Sequence, residues 1–127
     1  MDKMMDVTIL IIDGHPDVRD LLARRLDGQP GLRVVAKTSD PIVGAERAHD
    51  WQPHVILADF RLAGKDRAET CRWLGQVHPG SKLVLLASYF RVGEELKCLQ
   101  AGASKCLLKG ISISQLADEL LAVAKIM

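Results

Sequence analysis

Aromatic side chains are scarce: the 127 residues include two Trp, one Tyr and two Phe. Nowhere do they interleave with a dense run of Lys and Arg, and basic residues outnumber acidic ones by only one. The electrostatic footprint of a nucleic-acid-binding surface is therefore missing. "ARRL" at 23–26 comes nearest to one and reads as the solvated side of a helix. Cysteine is odd in number, at 71, 98 and 106, without CxxC or Cys/His ligand spacing. That excludes a disulfide framework and a zinc site and points to a reducing, cytoplasmic setting. No apolar run approaches the roughly 18 residues of a membrane span, and the opening "MDKMMD" lacks the pattern of a signal peptide. With 48% hydrophobic and 26% charged residues, the composition is that of an ordinary globule. The length predicts one domain over 1–127.

What is present is alternation. Short apolar runs recur as "VTILII" (7–12), "LRVVAK" (32–37), "HVILAD" (54–59), "KLVLLAS" (82–88) and "KCLLK" (105–109). Three are nearly continuous in Val, Ile and Leu, as in strands covered on both faces of a parallel sheet. Helical spacing fills the gaps. Pro16 suits a first helical position, with Asp17 and Asp20 near the positive end of the dipole and Val18, Leu21, Leu22 and Leu26 as an apolar stripe. Asp40 before Pro41 opens a second helix, which "QPH" at 52–54 ends, and residues 67–77, 92–101 and 113–126 supply three more. Five βα units predict a flavodoxin-like, doubly wound α/β fold: five parallel strands ordered 2-1-3-4-5, with five helices on two faces. The last helix runs to the C-terminus, so no second domain is expected within the chain.

That strand order places its ligand crevice at the carboxyl ends of strands one and three. Asp13 ends the first and Asp59 the third, and Lys109 ends strand five on the same rim. Two carboxylates beside an ammonium suit a hard divalent cation and a phosphoryl group. Each residue has a plainer reading. Asp13 alone is as readily a turn former or helix cap. Asp59 precedes "FRLAGKD", which has no cap of an immediate helix, so its carboxylate reads as functional. Lys109 gains meaning only by meeting the other two.

At these residues a family likeness emerges. "ILIIDGHPDVRDLL", "PHVILADFRLAGKD", "HPGSKLVLLASY" and "LQAGASKCLLKG" resemble, in order and spacing, the successive blocks of response-regulator receiver domains. The nearest likeness is to those preceding a helix-turn-helix transcription domain. The resemblance covers residues 7–124. It implies that Asp59 accepts a phosphoryl group from the phosphohistidine of a sensor histidine kinase and that Lys109 pairs with the phosphoryl oxygens. It also implies that Asp13, Asp59 and the backbone carbonyl of Arg61 hold Mg2+. A homodimer, a DNA-binding domain outside this chain and no membrane contact belong to the same expectation.

Three positions depart from the family pattern. Gly14 stands where the second acid of the metal pair is expected, Ala87 where a hydroxyl ends strand four, and Cys106 where strand five carries a switching aromatic. Weak Mg2+ binding and slow phosphorylation follow, because a lost metal ligand should reduce affinity by at least roughly 10-fold. Asp17, one helical turn on, is poorly placed to substitute for the acid. Ser88 replaces the hydroxyl only if the backbone turns, since adjacent strand residues face opposite ways. Tyr89 and Phe90 are candidates to replace the aromatic.

Two functions compete. One is a phosphorylatable receiver with an altered switch; the other is a phosphorylation-independent pseudo-receiver acting as a dimerisation or protein-interaction module. An independent enzyme is not expected: Arg61 sits where an aspartyl phosphatase would need its general acid. A flavin module would need a phosphate loop after strand one. His15, His49, His54 and His78 lack metal-ligand spacing, and the "HP" pairs at 15–16 and 78–79 read as turn chemistry. Trp51 and Trp73 are expected to pack. Trp73 breaks the rhythm of Ala68, Cys71, Leu74 and Val77, which makes it a candidate for a contact surface.

Overall fold

Apolar runs become strands here because both of their faces find a cover. The computed structural model describes residues 6–59 and 67–125. Among them, strands β1 (Val7–Asp13), β2 (Leu32–Thr38), β3 (Val55–Asp59), β4 (Lys82–Ala87) and β5 (Lys105–Leu108) alternate with helices. The helices are α1 (Pro16–Asp27), α2 (Pro41–Trp51), α3 (Arg67–Val77), α4 (Glu94–Gln100) and α5 (Ile113–Ala124). All neighbours in the sheet run parallel, in the order β2-β1-β3-β4-β5. The doubly wound arrangement read from the alternation is the one observed.

Successive residues of β1 point to opposite faces and feed two separate cores. Ile9 and Ile11 pack with Leu26 of α1 and with Leu116 and Leu120 of α5. Leu10 and Ile12 pack with Ala48 of α2, Leu74 of α3 and Cys98 of α4. The four β1 side chains are at most 1% exposed, and each contributes roughly 1.5–3 kcal/mol on burial. This double anchoring fixes where the strand ends, and therefore Asp13.

Local chemistry sets the helix boundaries. Asp40 caps α2, its Oδ1 accepting the Ile42 amide hydrogen bond at 2.8 Å, a cap of about 1 kcal/mol. The helix stops at Gln52, which takes a left-handed conformation at φ 46°. Gly44, midway along α2, faces Ile12, and a Cβ at 44 would lie 2.9 Å from Ile12 Cγ1. The absent side chain lets α2 approach the sheet.

Several expectations need correction. In α1, Val18 and Leu21 are exposed, whereas Ala23 and Leu26 are buried. At about 100° per residue, Val18 and Leu21 lie ~80° and ~140° around the axis from Leu26, off the packed face. Trp51 is 52% exposed at the end of α2, and Trp73 and Val77 of α3 are exposed as well. Helix α4 begins two residues later than the spacing implies, behind Gly93 at φ 78°. Strand β5 stops at Leu108, so Lys109 opens the following turn, although its amide still donates to the Ala87 carbonyl at 2.8 Å. No helix among the described residues is long and apolar enough to cross a membrane.

Candidate functional site

Parallel pairing of β1 with β3 makes Asp13 and Asp59 register partners at the last rung of the ladder. Both are buried, at 2% and 5% exposure. Two like charges so placed need a counter-charge, because isolated ions in a low-dielectric setting are strongly disfavoured. Lys109 supplies it. Its Nζ lies 3.0 Å from Asp13 Oδ2 and 2.7 Å from Asp59 Oδ2. The three residues read from the strand ends are therefore brought together.

The contact between Lys109 and Asp59 is an ion pair rather than a well-directed hydrogen bond. Among the described residues neither Asp59 oxygen, both fully buried, accepts a hydrogen bond. Asp13 is better satisfied, its Oδ1 accepting from the His15 amide at 2.9 Å in a local turn. Burial opposes the charge on Lys109, but the close contacts and negative charges of Asp59 and Asp13 together outweigh it and raise the ammonium pKa. The lysine is thus firmly cationic.

His15 is the residue that sequence reasoning missed. Its Nδ1 is 3.6 Å from Asp13 Oδ1, and its ring is largely exposed. One ligand atom each from Asp13, His15 and Asp59 lie within 4.8 Å of one another. The only signal in the sequence was its position two residues after Asp13, at a strand-to-helix junction. Oxygen donors with unsatisfied lone pairs, beside a single ammonium shared by two carboxylates, fit a divalent cation.

The departures from the family pattern are visible in place. Gly14 is exposed, with no atom within 4 Å of where its Cβ would be. Ala87 ends β4, 2% exposed and paired in register with Leu108. Ser88 follows it in an exposed bend. Cys106 directs its Sγ toward the Glu95 carbonyl of α4 at 4.0 Å. Burial first, then Cys98, Glu95 and Glu94, push its thiol pKa up to about 12. Arg61 lies outside the described residues. Beyond β4, Arg67 of α3 donates to the Tyr89 carbonyl at 3.1 Å and to Glu94 at 2.8 Å. Its guanidinium carbon also lies 6.0 Å from the Tyr89 ring and 5.7 Å from the Phe90 ring. The loop before α4 is thereby tied to the start of α3.

Residues 9–121 match the response regulator receiver domain, and the chain belongs to that family. It is 31% identical over 119 residues to the transcriptional regulatory protein LiaR of Bacillus subtilis, covering 94% of this chain and 56% of LiaR. To the response regulator GacA of Pseudomonas protegens it is 29% identical over 110 residues, covering 87% of this chain and 52% of GacA. The chain thus spans about half the length of the curated relatives it matches. These relatives are consistent with the helix-turn-helix subfamily that the sequence blocks resemble. In fold it is similar to the signal receiver domain of the response regulator NarL from Mycobacterium tuberculosis. That match has a TM-score of 0.86 at 24% identity and covers 96% of this chain and 98% of the other.

Proposed function

We propose that residues 1–127 form one receiver domain whose Asp59 accepts a phosphoryl group from the phosphohistidine of a sensor histidine kinase. The observation that supports this best is the register pairing of Asp13 with Asp59, bridged by Lys109, with Asp59 Oδ1 accepting no hydrogen bond among the described residues. A carboxylate held this way is a ready nucleophile. An Asp59 oxygen attacks phosphorus, the P–N bond to the kinase histidine breaks, and the imidazole leaves with the bonding electrons. Lys109 already sits against Oδ2 and is placed to follow the negative charge onto the phosphoryl oxygens. Asp13, Asp59 and the Arg61 carbonyl would hold Mg2+, which when bound neutralises charge on the transferring group. Binding should be weak, because Gly14 offers no carboxylate.

The signal would reach transcription through a DNA-binding domain outside this chain, in a cytoplasmic protein that can form a homodimer. The domain itself is a regulatory module rather than an independent enzyme. A second reading, a phosphorylation-independent interaction module, is favoured by the buried Ala87 methyl and by Cys106 turned toward Glu95. Neither can run a hydroxyl-to-aromatic relay.

Acetyl phosphate with millimolar Mg2+ tests the choice. Intact-mass spectrometry should show slow addition of one phosphoryl group, absent in Asp59→Asn. No addition after prolonged incubation, together with an oligomer unchanged by beryllofluoride in sedimentation, would establish the interaction module instead.

A further inference from the structure

Gly14 removes an acid from the cation pocket, yet the pocket retains a third donor. We propose that His15 takes that place, and that Asp13, His15 and Asp59 bind a first-row divalent cation with affinity for imidazole in preference to magnesium. The inference rests on the reading of Asp13 and Asp59 as a cation-accepting pair. Three observations carry it. First, the three donors lie within 4.8 Å of one another. Adjacent ligands on an ion with bonds of roughly 2.1 Å stand about 3.0–3.4 Å apart, so a closure of up to about 1.5 Å, within the swing of an exposed imidazole, completes the site.

Second, Oδ1 of the buried Asp59 accepts no hydrogen bond among the described residues, an unsatisfied oxygen beside the other donors. Lys109 contacts Oδ2 of both carboxylates. Third, His15 is held beside the site by its own main chain, whose amide donates to Asp13 Oδ1 at 2.9 Å. Its exposed ring can swing toward an ion without disturbing the core.

Ligand chemistry decides which ion. Magnesium takes oxygen donors and keeps several waters, whereas an imidazole with two carboxylates suits zinc, nickel or cobalt(II). The exchange of an acid for a histidine changes the selectivity of the pocket, not only its strength.

Titration of the whole chain with Co2+ and, separately, with Mg2+ by calorimetry tests this, with the visible absorption of bound Co2+ as a second readout. Wild type should bind one Co2+ at least about tenfold more tightly than Mg2+. His15→Ala and His15→Asn should each weaken Co2+ roughly 10- to 100-fold while moving Mg2+ less than about twofold, with circular dichroism unchanged. Equal affinity for the two metals would overturn the proposal, as would Co2+ binding and absorption that ignore both variants. Acetyl phosphate labelling of the same preparations separates the two readings. Labelled Asp59 with His15-independent Co2+ binding refutes the cation site alone. Unlabelled Asp59 with His15-dependent Co2+ binding upholds the cation site and refutes the phospho-acceptor.

Discussion

Asp13 and Asp59, 46 positions apart in the chain, face each other across the last rung of adjacent parallel strands, and a single ammonium touches both. Their closeness is a consequence of strand order. Without Lys109 the two carboxylates would repel at short range in a buried setting.

Lys109→Met keeps the unbranched apolar stem of the side chain and removes that ammonium. Breaking a buried pair costs about 3–5 kcal/mol; Lys109 is 19% exposed, and solvent screening lowers the expectation to about 2 kcal/mol at pH 7. Because the folded-state pKa of Lys109 is raised above 10.5, its stabilisation is complete below that value and is lost as pH rises through the folded pKa. Urea midpoints of both proteins at pH 7, 9 and above 11 check the pattern; a gap that stays constant to the highest pH would mean that packing, not charge, is lost.

Gly14→Asp restores an acid where the backbone leaves open space around a new Cβ. Folding stability should change little, and Mg2+ affinity should rise by at least roughly tenfold. Calorimetric titration reads both affinities directly.

Gly44→Ala sets helix propensity against packing. Alanine favours a helix by about 1 kcal/mol over glycine, but the new methyl meets the buried Ile12 side chain. Overpacking of this kind costs typically ~1–3 kcal/mol, so we expect a net loss of about 1 kcal/mol in urea unfolding. Adding Ile12→Val, which removes the terminal methyl, should recover part of it in a double-mutant cycle.

Cys106 should be inert despite its partial exposure. With its pKa pushed up to about 12, almost no thiolate exists at pH 8, and Cys71 and Cys98 are buried. Iodoacetamide should leave the native chain essentially unmodified and alkylate all three cysteines in denaturant. Fast single-site labelling of the folded protein would contradict this environment for Cys106.

The sheet was legible because its strands are continuous Val, Ile and Leu runs bounded by turn residues, and from strand order alone Asp13, Asp59 and Lys109 converge. The packed face of α1 was less legible. Apolar residues surround more than half of that helix, and only the partner elements choose Ala23 and Leu26 over Val18 and Leu21. His15 was assigned to the turn it does form, since its second relationship, to Asp59, exists only across two strands. Arg67 and Glu94 are 27 residues apart, and no local pattern announces their pairing.

Trp51 and Trp73 stand half in water on two helices covering the same face, and they are the chain's two indoles. With Trp51 52% and Trp73 37% exposed, their native emission should already be partly that of a solvated indole, so denaturation should shift its wavelength less than for buried indoles. Far-ultraviolet dichroism is the sounder optical monitor of unfolding. The indoles instead offer built-in reporters for anything that settles on the α2–α3 side.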